Sequence, residues 1–129
     1  MNLENKTKQN FMEGKVESVQ KEFFKMMSTK RFRLEYYVLR NEFEVDEFKV
    51  TTYGVEIIKK QRKKDVVTTE VKTARNVCTS EQQIRKLVEL LSENLVTPVT
   101  LKDIIDDLIE DKKISSPQEQ SFLNSLAVV

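Results

Sequence analysis

The residues able to do chemistry fall into four groups along this 129-residue chain. The stretch KKQRKKD (59–65) places Lys59, Lys60, Arg62, Lys63 and Lys64 within six positions. Cations so closely spaced suit a polyanion such as a nucleic-acid backbone. Asp103, Asp106, Asp107, Glu110 and Asp111 follow one another at offsets of three, four, seven and eight, the spacing of one helix face. That acidic face suits a basic partner or, through its oxygens, a weakly held Mg²⁺ or Ca²⁺. A solvated face, balanced within the molecule by the basic cluster, is the plainer reading. Cys78 precedes Thr79 and Ser80. A thiol at a helix N-terminus is acidified by the amide N–H groups there, whereas a small residue tucked where a strand meets a helix is inert. Met12, Val16, Val19 and Phe23, continued by Met26 and Met27, form a stripe rich in Met and Phe that packs adaptably on a core or in a partner's groove.

The chain contains no histidine. It therefore lacks the usual general base near neutral pH, the Ser-His and Cys-His nucleophile pairs, and histidine-based metal sites. Two isolated glycines cannot build a phosphate-cradling loop. The chain reads as a non-enzyme, with no catalytic residues and neither metal nor cofactor expected.

The elements that must hold these groups follow from hydrophobic period. Residues 1–10 are polar. From Met12 to Met27 the apolar residues are spaced by four, three, four, three and one, which predicts an amphipathic helix. The period then falls to two. Phe32, Leu34, Tyr36 and Val38 share one strand face, with Arg31, Arg33, Glu35 and Tyr37 opposite. Residues 40–47 read as a polar connection. A second strand, about 47–58, shifts its apolar parity from Phe48 and Val50 to Tyr53, Val55 and Ile57, which predicts a bulge near Thr51–Gly54. A third strand, 66–77, aligns Val67, Thr69, Val71, Thr73 and Val77. The basic cluster thus becomes the hydrated tip of a hairpin.

After Val77 the helical period returns. Thr79 or Ser80 is the expected N-cap, answered by Gln82 or Gln83. Ile84, Leu87, Val88, Leu91 and Leu95 form the buried stripe. Pro98 breaks this helix, and Thr100 is expected to cap the next. There Leu101, Ile104, Ile105, Leu108 and Ile109 face inward, opposite the five acids. A helix so acidic repels phosphates, which argues against a helix-turn-helix recognition role.

Composition bounds the rest. The net charge of +1 divides into +5 over residues 1–75 (17 basic, 12 acidic) and −4 over residues 76–129 (5 basic, 9 acidic). A dedicated nucleic-acid binder usually carries a larger excess. One cysteine excludes an internal disulfide and fits a reducing compartment. The first fifteen residues lack a signal-peptide segment, and no apolar run reaches the length of a membrane helix. The chain reads as cytoplasmic, with no membrane partner.

The segments YYV, YGVEI and VTPVTLKDIIDDLIED resemble a family of small uncharacterised proteins, a domain of unknown function, from clostridia and related Firmicutes. The likeness spans roughly residues 34–111. It implies no catalytic residue and an accessory or regulatory role.

The expected fold is α+β: a three-stranded antiparallel β-meander packed by two C-terminal helices, with an N-terminal amphipathic helix. Three segments are expected: 1–30 (polar segment and helix), 31–111 (core) and 112–129 (tail). The expected function is a non-enzymatic module that binds another protein, or a second copy of itself, through the acids at 103–111, the Met12–Phe23 stripe, or both. Nucleic-acid binding through the basic tip is the alternative.

Overall fold

A computed structural model describes residues 16–111 together with Lys8, Gln9 and Lys113. In chain order the elements are β1 (Lys8–Gln9), β2 (Val16–Ser28), β3 (Phe32–Val45), β4 (Phe48–Lys63), β5 (Val66–Cys78), α1 (Glu81–Glu93) and α2 (Pro98–Glu110). The strands form one antiparallel sheet in the order β1-β2-β3-β4-β5. The α+β class holds. The three-stranded meander and the N-terminal helix do not: the sheet has four long strands plus the short β1, and the expected helix is β2.

The reason lies in one residue. β2 pairs with β3 from Val16↔Glu44 to Ser28↔Arg33, but its register slips between Phe23 and Lys25. The extra residue, Phe24, reverses the alternation. Val19, Phe23 and Met26 then stand on one face, at spacings of four and three, while Phe24 and Met27 pack on the core side. A bulged strand thereby reproduces the apolar spacing of a helix.

The connections are tight. Asp46 and Glu47 both adopt positive φ, 47° and 75°, the two left-handed positions that suit a two-residue hairpin. β3 and β4 run up to this turn, so the polar stretch 40–47 is mostly strand. Between β2 and β3, Thr29 Oγ1 accepts from the amides of Arg31 and Phe32.

β3 and β4 pair without interruption from Phe32↔Gln61 to Val45↔Phe48. The expected bulge in β4 is therefore absent, and Phe48 and Val50 simply face the other side of the sheet from Tyr53, Val55 and Ile57. The irregularity lies in the neighbouring strand. Tyr53 pairs with Cys78 and Val55 with Ala74, so a single residue, Gly54, faces the outpouching Arg75–Asn76–Val77, where Asn76 has φ 54°. This outpouching turns Val77 into the core, away from the face shared by Val67, Val71 and Thr73.

Both helices lie on one face of the sheet. Leu34, Tyr36 and Val38 from β3 and Tyr53, Val55 and Ile57 from β4 meet Ile84, Leu87, Val88 and Leu91 of α1 and Leu101 and Ile105 of α2. The buried Tyr36 hydroxyl donates to Val96 O at 2.9 Å, fastening the α1–α2 connection to the sheet. Ser80 caps α1, accepting from the Gln83 amide at 3.1 Å. α2 begins earlier than expected. Thr97 occupies the N-cap position without a side-chain bond and Pro98 the first turn, where its fixed φ and missing N–H cost nothing. Among the described residues, no helix is long and apolar enough to cross a membrane.

Candidate functional site

The register places each sequence-derived group, and it separates them. Lys59, Lys60, Arg62 and Lys63 lie within β4, and only Lys64, at φ 59°, belongs to the turn. Alternation sends them to opposite faces. Lys59 stands on the helix side with its Nζ 4.8 Å from the Phe32 ring centroid. Lys60 stands on the other side, 3.5 Å from Glu35 Oε2. The expected hairpin is present, with its turn at Lys64 and Asp65 and residues 62–65 exposed, but the basic cluster is divided between two faces rather than gathered at the tip.

Asp103, Asp106, Asp107, Glu110 and Asp111 are all exposed on α2 or at its C-cap. Lys102 bonds Asp106 at 2.9 Å. Among the described residues none of the five pairs with the basic cluster, and no three acidic or cysteine groups converge to hold a metal. Cys78 is buried, and its thiol donates to Ser80 O at 3.5 Å. Burial pushes its pKa up, only partly offset by the Ser80 bond. The plainer reading of Cys78 is the one its surroundings support.

Of the N-terminal stripe, Met12 lies outside the described residues, and Val16 occupies the register position opposite Glu44. Val19 and Phe23 stand on the sheet face turned away from the helices, 40% and 53% exposed. They are not alone there. Among the described residues, every exposed large apolar side chain of the sheet except Val66 lies on this open face: Val19, Phe23, Met26, Val45, Phe48, Val50, Val67 and Val71.

The middle of the open face is built from rows across the strands. Phe23 meets Tyr37 edge to face, ring centroids 5.6 Å apart. One row further, Met26 stands opposite Glu35, Glu35 opposite Ile58, and Ile58 opposite Val71. Cations are threaded through this surface. Lys21 bonds Glu56 at 3.0 Å and lies over the Tyr37 ring at 4.7 Å. Arg33 and Lys60 both reach Glu35, at 3.4 and 3.5 Å. The Tyr37 hydroxyl donates to Glu35, and that bond, with slight burial and the nearby carboxylates, raises its pKa. Glu35 and Glu56 are only 12% and 13% exposed, whereas Lys21, Arg33 and Lys60 are 40–45% exposed. The open face therefore shows solvent its apolar side chains and its cations, with the counter-charges sunk beneath.

Between this middle region and the exposed Val50, Phe48 and Val45 beside the β3–β4 turn, the same face carries a buried polar cluster. Asn41 and Thr52 are buried. Asn76 Oδ1 accepts from Asn41 Nδ2 at 3.1 Å and from Thr52 Oγ1 at 2.6 Å, while Asn41 Oδ1 has no partner.

Sequence reasoning put Val19, Phe23 and Met26 on one stripe but missed Tyr37, Ile58 and Val71 as their companions, because these come from three other strands. The usable signal was strand parity: Tyr37 opposite the Leu34–Val38 face, and Val67 with Val71 on one side of an edge strand.

Neither a curated protein nor a solved structure matches the chain. A family does, over residues 15–111, a span that takes in the whole of β2–β5 and both helices: the chain belongs to the family of unknown function DUF6514.

Proposed function

We propose that the protein is a non-enzymatic binding module, accessory or regulatory in role, that docks another protein on the open face of β2–β5. The observation that carries this reading is the gathering of Phe23, Met26 and Val71 with Tyr37 and Ile58 on one face, left uncovered among the described residues. Scattered single apolar residues mean little on a surface, whereas a contiguous patch rimmed by charge is the usual form of an interface. The exposed Lys21, Arg33 and Lys60 fit a partner whose apolar surface is flanked by carboxylates. The acidic outer side of α2 is the second candidate surface. It belongs to the opposite layer of the molecule, so the two would serve separate contacts.

The alternative, a nucleic-acid-binding accessory protein, draws less support because β4 divides its cations between two faces. Affinity capture with the full chain, with and without nuclease, separates the readings. Phe23→Ser with Met26→Ser is expected to abolish capture of a protein partner, while Asp107→Asn with Glu110→Gln leaves it intact. Capture indifferent to the first pair, or lost on nuclease treatment, overturns the open-face reading.

A further inference from the structure

β5 ends the sheet on one side. Among the described residues it pairs only with β4 and nothing covers its outer flank. Residues 66–73 are exposed without exception. Among the described residues, no backbone bond outside the regular elements reaches them. Edge strands expose unpaired N–H and C=O groups that template a further strand, and proteins blunt such edges with bulges, prolines or charges. β2, at the other side, carries the Phe24 bulge together with Lys21, Glu22 and Lys25. β5 runs unbulged from Val66 to Ala74, contains no proline, and consists largely of valine and threonine. Its two charges in this run are Glu70 and Lys72.

We propose that this edge pairs with a second copy of itself: β5 against β5 of another chain, antiparallel, joining two sheets into one. The register follows from symmetry and charge. A two-fold axis perpendicular to the sheet needs one residue to face its own copy, because symmetric pairs must share a hydrogen-bonding type. Centring on Glu70 sets carboxylate against carboxylate, and centring on Lys72 sets ammonium against ammonium. Centring on Val71 sets Glu70 opposite Lys72 twice, on the helix side. It also sets Thr69 opposite Thr73 twice and Val71 opposite Val71, on the open side. Opposite charges and paired threonines directly across an antiparallel ladder are favourable. The pairing would run from Thr68 to Ala74, where the outpouching at Arg75 ends the straight edge. The contact is isologous and closed, so it consumes the β5 edge within a dimer and cannot itself propagate into a fibre.

This inference concerns the sheet edge and stands independently of the open-face reading. Sedimentation of the full chain across micromolar concentrations tests it, with twice the 15.2 kDa of one chain expected. Lys72→Glu sets like charges across both symmetric positions and is expected to weaken the dimer roughly tenfold to a hundredfold. Glu70→Lys does the same, although Glu70 also pairs with Lys59 inside the monomer, so Lys72→Glu is the cleaner change. The combined Glu70→Lys/Lys72→Glu swap is expected to restore dimerisation. Val71→Cys is expected to oxidise to a covalent dimer, and Glu70→Cys to resist. Each variant is checked by circular dichroism melting, so that loss of fold is not mistaken for loss of pairing. A wild-type chain that stays monomeric, or single variants that leave the dimer unchanged, overturn the proposal. So do a swap that fails to rescue, and a dimer lost with Phe23→Ser/Met26→Ser, which would place the contact on the open face.

Discussion

Replacing Gly54 by alanine probes the point where β4 and β5 come closest. A Cβ built at this position runs into the Ala74 carbonyl oxygen and lies 2.9 Å from Arg75 Cα and 3.2 Å from the Ala74 carbonyl carbon. Carbon atoms in contact sit about 3.5–4.0 Å apart, so the β5 backbone must retreat by roughly half an ångström or more. The obstructing atoms are backbone, so no side-chain rotation relieves them. The retreat strains the flanking pairs Tyr53↔Cys78 and Val55↔Ala74, and it displaces Val77 and Cys78, both buried in the core. Overpacking of this kind costs about 1–3 kcal/mol, and one weakened ladder bond adds about 1 kcal/mol. The reduced freedom of the unfolded chain returns about 0.4–1 kcal/mol. The net loss is about 2–3 kcal/mol, a substantial part of the 5–15 kcal/mol typical of a domain, and a fall in Tm on the order of 10 °C. Urea unfolding followed by circular dichroism measures it, with an unchanged m-value showing that the native state stays compact. Adding Ala74→Gly is expected not to rescue the variant, because the obstruction is the Ala74 carbonyl rather than its methyl group. A Gly54→Ala protein within about 0.5 kcal/mol of wild type, or one rescued by Ala74→Gly, would refute the close-approach reasoning.

Three further outcomes follow from buried or capping groups. Tyr36→Phe leaves the Val96 carbonyl without its donor and is expected to cost about 1–2 kcal/mol at neutral pH. Burial raises the Tyr36 hydroxyl to about 12 from the ordinary 10, so the folded state holds this proton more tightly than the unfolded chain. Its contribution is complete below pH 10 and is lost as pH rises toward 12. Wild type should therefore lose about 2 kcal/mol more than Tyr36→Phe across that window in pH-dependent urea melts, and parallel losses would refute the assignment. Ser80→Ala removes the acceptor for the Gln83 amide and should lower stability by about 1 kcal/mol, read from the denaturant midpoint. Cys78, buried with a raised pKa, should resist iodoacetamide at pH 8 in the native protein and react fully in urea; rapid native labelling would show the thiol to be accessible.

The sequence by itself determined the features that are local in the chain. The two helices, a cap at Thr79 or Ser80 and the inward sets Leu34–Tyr36–Val38 and Tyr53–Val55–Ile57 are set by period and capping chemistry within a few residues. Each was legible without knowing what it packs against, although the structure chose Ser80 and moved the start of α2 from Thr100 to Thr97. Tertiary structure alone decided the state of residues 16–28. There the spacing of Val19, Phe23 and Met26 fits a helix and a strand bulged at Phe24 equally well, and the free partner edge of β3 selects the strand. It also decided that the cations at 59–63 divide between two faces and that Gly54 answers an outpouching in β5 rather than a bulge of its own. The open face of Phe23, Tyr37, Met26, Ile58 and Val71 is decided in the same way. Its members come from four strands and become neighbours only when the ladders form. The physical reason is common to all of these: pairing register is a relation between distant segments, and one inserted residue reverses every side chain beyond it.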